Sequence, residues 1–291
     1  MIFDLLAIVA PVFICAIVGF VWGKSGREYD ANMVTNLVTL IGAPCLIFTA
    51  LVSVRVDPQA LQEMVLGSIA VIVSFAAVGY AILRLSGQDV RAFLPSLTFT
   101  NCGNMGLPLA MLAFGEAGLA LAAVYFAVST VFQFTLGIGL VSGKMSFRQF
   151  LKMPLFYAVG LAIFVMATGV QLPGWVNNTL DLLSGMTIPL MLITLGVSLA
   201  RLGVSNLPRS LALSVLRLVM GFAVGLAFAE LLGLEGVARG VLILQSALPV
   251  AVFNYLFAQR YQTQPGEVAG VVVISTVLSF ATLPGLLWFL L

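Results

Sequence analysis

Of the 291 residues, 61% are hydrophobic and only 8% charged, so a soluble fold would have too little polar surface to cover its exterior and lipid is the expected main solvent. The 13 Lys and Arg against 11 Asp and Glu leave a net charge of +2, too slight to imply a nucleic-acid partner. There is no histidine, which excludes His-dependent catalysis, His metal ligation and a His proton relay, and with them most membrane-enzyme chemistries.

Apolar runs of about one bilayer thickness follow one another along the chain. The first, 2–22, opens with Asp4, has no Lys or Arg before it and no small-residue cleavage site after it, and so reads as a retained helix rather than a signal peptide. The second, 32–54, carries Pro44, which sets a kink, and Thr49. After the third, 61–83, the fourth, 92–114, is interrupted near its middle by Asn101-Cys102-Gly103-Asn104-Met105-Gly106-Leu107-Pro108. Two glycines and a proline make a poor helix, and the carbonyls freed there must face protein, water or ligand because lipid offers no partner. Asn101, Asn104, Gly106 and Pro108 are therefore candidate substrate-binding residues, with interhelical hydrogen bonding and an ordinary proline kink as the competing readings. The fifth run, 117–141, adds Gln133 mid-way along the span. Cys15, Cys45 and Cys102 all lie inside these runs, at a spacing that suits neither a disulfide framework nor a metal site, and read as small packing residues.

The sixth to tenth runs are 153–170, 178–200, 208–232, 238–259 and 267–290. Pro189, Thr194, Val197 and Ser198 in the seventh repeat Pro44, Thr49, Val52 and Ser53 of the second at one offset of 145. Ser275-Thr276-Val277 and Phe280 in the tenth repeat Ser129-Thr130-Val131 and Phe134 of the fifth at 146, and Pro154 and Phe156 in the sixth echo Pro11 and Phe13 in the first. These offsets divide the chain into two five-helix halves, 1–143 and 144–291, and because five is odd the second half enters the membrane from the opposite side. Within the eighth run Arg217 sits about nine residues deep, roughly 14 Å along the helix and near the bilayer centre. It either attracts an anionic substrate or a gating carboxylate, or it pairs structurally or snorkels. In the ninth, Gln245-Ser246-Ala247-Leu248-Pro249-Val250-Ala251 matches Asn104–Ala110 in pattern and gives a second mid-span break, adding Gln245, Pro249 and, just beyond it, Asn254 to the candidate substrate-binding set. Two broken helices at equivalent places in inverted halves are expected to cross, aiming half-helix N-termini and freed carbonyls at one central point.

Ten of the 13 basic residues lie at alternate connections: Lys24, Arg27, Arg84, Arg91, Lys144, Arg148, Lys152, Arg201, Arg209 and Arg260. Only Arg55 and Arg239 lie opposite, so the positive-inside rule puts both termini outside the cytoplasm; the expected location is the cell (inner) membrane.

The NCGNMGLP segment, the QSALPVAVFNYLFAQRY segment at 245–261 and the early IGAPCLIF stretch together resemble the auxin efflux carrier family, and the similarity runs along the whole chain. Bacterial members resemble the plant PIN carriers in having ten helices with both ends outside, and the fold is similar to that of bile-acid sodium symporters. The resemblance implies a scaffold of helices one, two, six and seven, through which a homodimer forms, and a mobile transport domain of helices three to five and eight to ten that moves as an elevator. It implies small carboxylates such as malonate and malate as substrates, or auxin-like aromatic acids. This chain lacks the long cytoplasmic loop of many plant carriers, residues 142–152 joining the halves directly. The expectation is an all-α membrane protein of ten transmembrane helices in two inverted repeats, acting as a secondary transporter of organic anions, with an anion channel or a membrane signalling receptor as the alternative. No catalytic residue, bound metal or cofactor is expected; the acidic residues cluster near span ends, so sodium coupling, proton coupling and uniport all stay open.

Overall fold

A computed structural model describes residues 2–53, 57–142 and 153–291. Arg55, Lys144, Arg148, Lys152 and the boundary at 143/144 lie outside the described residues. The first half contains α1 (Ile2–Lys24), α2 (Ala31–Leu37), α3 (Ala43–Ser53), α4 (Pro58–Leu85), α5 (Val90–Thr98), α6 (Leu107–Phe132) and α7 (Ile138–Ser142). The second contains α8 (Pro154–Thr168), α9 (Gly174–Gly185), α10 (Thr187–Arg201), α11 (Leu207–Leu231), α12 (Gly236–Ala247), α13 (Val252–Tyr261) and α14 (Pro265–Leu290). Wider π-type turns at Val38–Gly42, Cys102–Gly106 and Gln133–Gly137 join α2 to α3, lead into α6 and join α6 to α7.

Several of the scarce acidic residues mark where these helices start. Asp30 accepts from the N–H of Asn32 and Met33, Asp57 from Gln59, and Asp89 from Arg91 and Ala92. Each satisfies donors that have no partner within the helix, and Asn206 does the same for Arg209 at the start of α11. Gly169, in the left-handed region at φ 67°, ends α8 where a side chain would strain the turn.

Among the described residues, seven helical stretches are long and apolar enough to cross a membrane, and α8 and α12 are shorter apolar helices. One of the seven, Cys102–Leu140, is 39 residues long, about 58 Å of helix and nearly twice a hydrocarbon core. Gly115 breaks it with φ 66° and ψ −157°, a conformation that favours glycine. The expected seventh run also differs from a single helix: it divides at Met186 into α9 and α10. Ile14, Ile17, Val21, Leu161, Phe164, Val219 and Trp288 are exposed on the outer surface, as hydrocarbon around the protein requires.

Small residues set the tightest helix contact. Gly19 and Gly23 of α1 face Gly196 and Ala200 of α10, so that a Cβ at Gly19 would lie 2.9 Å from the Ile193 Cα and one at Gly23 would lie 2.7 Å from the Ala200 Cβ. Lipid gives no hydrophobic drive for helix association, and this spacing of small residues lets two backbones touch and gain dispersion and dipole contacts instead. Equivalent pairings recur across the two halves: α1 packs on α10 as α8 packs on α3, and α4 packs on α5 and α6 as α11 packs on α12 and α14.

Candidate functional site

The two interrupted helices meet. After Thr98 the chain is extended at Phe99 (φ −101°, ψ 117°), and after Ala247 it is extended at Leu248 (φ −67°, ψ 156°). The extended pieces pair antiparallel through Thr100 and Val250. The Asn101 N–H donates to the Pro249 carbonyl at 2.8 Å, the Ala251 N–H donates to the Phe99 carbonyl at 3.1 Å, and the Val250 N–H donates to Ser275 Oγ at 3.1 Å. A short stretch of β pairing thus satisfies main-chain groups that the broken helices release at a depth where lipid could not. The breaks are displaced slightly from their expected places. In the first, Phe99 and Thr100 are extended, Asn101 turns at φ −77° and ψ 48°, and 102–106 is π-wound, so Pro108 falls directly behind a wider turn that accommodates its missing N–H. In the second, Gln245 and Ser246 still belong to the last turn of α12 and the extended residues are 248–251.

Around this crossing lies a cavity of about 50 Å³, room for a few waters or a small polar group. One wall comes from the crossing and α6: Thr100, Asn101, Cys102, Gly103, Asn104, Thr130 and Gln133. The facing wall comes from α2, α10 and the start of α8, with Thr35, Thr39, Leu155, Met191 and Thr194. Asn101 is 4% exposed and its Nδ2 has no hydrogen-bond partner, an unused donor in the cavity wall. The adjoining helix start, Cys102–Gly106, carries no side-chain cap, and neither does the start of α13 beside Ala251. Uncapped N–H groups at a helix start carry partial positive charge and suit an anion. Asn104 is half-buried in the same wall. A cavity of about 590 Å³ between α3, α4, α6 and α8 is larger but almost wholly apolar, with Gln62 its main polar group, and offers a carboxylate little.

The other expected site residues stand around the crossing rather than in the cavity wall. Asn254 Nδ2 donates to the Pro95 and Phe99 carbonyls at 3.1 and 3.2 Å, capping the carboxyl end of α5, and its Oδ1 accepts from Gln133 Nε2 at 3.3 Å. Gln245 is fully buried with neither amide atom paired, and it lies against Gly106: a Cβ there would run into the Gln245 amide, with Leu248 Cδ1 at 2.8 Å. Arg217 is fully buried; its Nη2 donates to the Ser246 carbonyl at 2.7 Å and its guanidinium stacks 4.2 Å from the centre of the Phe75 ring. Glu230 is bound elsewhere, accepting from Arg239 at 2.8 Å. The sequence marks Thr194 only as the repeat of Thr49, whereas its Oγ1 shares a 2.7 Å hydrogen bond with the Tyr29 hydroxyl across 165 positions and faces the cavity. Thr35, Thr39, Thr100 and Thr130 were also missed, their sole sign being a hydroxyl inside an apolar run.

Residues 4–145 and 138–287 match the family described as Membrane transport protein. The chain is 26% identical to an uncharacterized transporter of Methanocaldococcus jannaschii over 305 positions, covering 98% of each protein. It is 23% identical to a Rhizobium meliloti protein named "Putative malonate transporter", covering 98% of this chain and 95% of that one. Auxin efflux carrier component 1 of Arabidopsis thaliana is 23% identical over 142 residues, 46% of this chain and 23% of the plant protein.

Proposed function

The chain belongs to the membrane transport protein family, the auxin efflux carrier group that its sequence resembles, and we propose that it is a secondary transporter moving small organic anions by an elevator-type alternating-access cycle. The observation that carries the reading is the cavity at the crossing, where the free Asn101 amide donor stands beside an uncapped helix start. Donors fixed by a main-chain scaffold hold a carboxylate without reorganisation, and a half-helix N-terminus favours its charge. Carboxylates the size of malonate or malate suit the small volume better than an aromatic acid does, and a relative bears a malonate transporter's name.

Asn101, Asn104 and Gln133 are the proposed ligands in the wall, while Gly106, Pro108, Gln245, Pro249 and Asn254 maintain the crossing. Ten spans in two inverted five-span halves are the proposed topology. The turn at Gly115 supports dividing the 39-residue stretch in two, and the matching helix pairings of the two halves support the repeat. The cavity lies between α2, α8 and α10 on one side and the crossing, α6 and α13 on the other, which fits a scaffold and a moving bundle with the substrate between them. A homodimer through helices one, two, six and seven is part of the same proposal.

Contacts between loops support the orientation with both termini outside the cytoplasm. Arg201 donates to the Tyr29 carbonyl at 2.8 Å, Gln264 donates to Asp89 at 2.8 Å and Arg209 pairs with Glu267 at 3.2 Å, so loops carrying most of the described basic residues gather at one end. The test is counterflow: liposomes holding the purified protein and loaded with malonate should accumulate labelled malonate saturably. Ohmic anion current without counterflow would replace the carrier by a channel.

A further inference from the structure

The crossing has two half-helix carboxyl ends, and the chain caps them differently. At α5 the last carbonyls receive a neutral amide, Asn254 Nδ2, which donates to Pro95 and Phe99. At α12 the Ser246 carbonyl receives a full positive charge, Arg217 Nη2, delivered from α11 at 2.7 Å. Both ends carry the partial negative charge of a helix carboxyl terminus, and both are buried where water cannot solvate it.

Three features set the guanidinium apart from an ordinary structural arginine. Among the described residues no carboxylate pairs with it, and its Nε and Nη1 have no hydrogen-bond partner. It also stacks 4.2 Å from the centre of the Phe75 ring, a neutral face that attracts any cation, with the side chains of Tyr125 and Cys102 near it. Room has also been made for this contact: a Cβ at Gly221 on the same helix would meet the Ser246 and Ala247 backbone, and one at Gly225 would lie 2.7 Å from Ser246 Cβ. Both glycines bring α11 close enough for Arg217 to reach the carbonyl. A main-chain carbonyl at a helix carboxyl end facing an aromatic ring is also a place where a free monovalent cation could be held.

We propose that Arg217 is a built-in cation, standing at the carboxyl end of α12 in place of a free monovalent cation and fixing a positive charge behind the anion cavity. This rests on the transporter reading for its purpose, but not for its test. A tethered charge is always present, so this end of the crossing needs no sodium. A positioning residue of this kind acts on the substrate through the half-helix it neutralises.

Thermal unfolding of the purified full-length protein is followed in sodium chloride and in choline chloride, with guanidinium added at low millimolar levels. Wild type should unfold at the same temperature in both salts. Arg217→Ala should unfold lower in choline and recover saturably with guanidinium, and in part with sodium, because each binds only the folded site. Arg217→Lys should need neither. Saturable sodium stabilisation of wild type would overturn the proposal, and so would an Arg217→Ala protein that is folded yet indifferent to both cations; the wild-type titration decides even where the alanine variant does not fold. If these responses hold while malonate counterflow is absent, the transport reading fails and the cation assignment stands.

Discussion

Asn101 and Asn254 are both buried asparagines at the crossing, yet replacing them with alanine should change stability in opposite senses. Asn101 Nδ2 is buried without a partner, a state that costs about 1–3 kcal/mol. Its main-chain N–H, which holds the Pro249 carbonyl at 2.8 Å, survives the substitution. Asn101→Ala should therefore keep or raise the unfolding temperature while removing a donor to a charged ligand, worth about 1.5–3 kcal/mol, or about 10- to 150-fold in affinity. Asn254 instead makes two donations at 3.1 and 3.2 Å and accepts one from Gln133. At roughly 1 kcal/mol for each hydrogen bond within a membrane, Asn254→Ala should cost about 2–3 kcal/mol of stability. Thermal unfolding and malonate counterflow, measured on the same preparations, separate the two. An Asn101→Ala protein as destabilised as Asn254→Ala, or one with wild-type malonate affinity, would refute the assignment of Asn101 as a donor kept free for substrate.

Gly196→Leu should destabilise by at least about 1–3 kcal/mol, because its side chain would enter the Ala16 carbonyl and the Phe20 backbone, whereas Gly160→Ala, with open space around it, should be neutral; unfolding temperatures decide. Gly106→Ala should abolish counterflow by pushing on Gln245 and Leu248, and adding Gln245→Ala should restore part of it, a coupling that a double-mutant cycle measures. Thr194→Val and Tyr29→Phe should each cost about 1 kcal/mol, and the double variant should cost no more than either alone if their 2.7 Å hydrogen bond is the interaction lost.

Local chemistry made the interruptions legible. Gly103, Gly106, Pro108 and Pro249 state their backbone preferences without reference to the rest of the chain, so both breaks could be located to within a few residues. The displacement that remains has a plain cause: Pro108 is tolerated directly behind the wider turn at Cys102–Gly106, and Gln245 and Ser246 complete α12 before Leu248 leaves it. Arg217 was conspicuous as a charge inside an apolar run, but its partner was not, since Ser246 offers a carbonyl that every residue possesses. The Tyr29–Thr194 bond was invisible for a related reason, as Tyr29 lies outside any span and reaches Thr194 only through the packing of α2 on α10. Asn254 looked like a ligand because an amide in a span has two uses, and only the positions of the Pro95 and Phe99 carbonyls distinguish them.

Labelling a single thiol at the crossing tests the central claim most directly. In a background without Cys15, Cys45 and Cys102, Asn104→Cys places a thiol in the half-buried wall of the cavity. Alternating access predicts that membrane-impermeant reagents modify it from either face of the membrane, and that malonate protects it from both. Modification from one face alone, with no protection by any small carboxylate, would contradict a carrier built on this crossing.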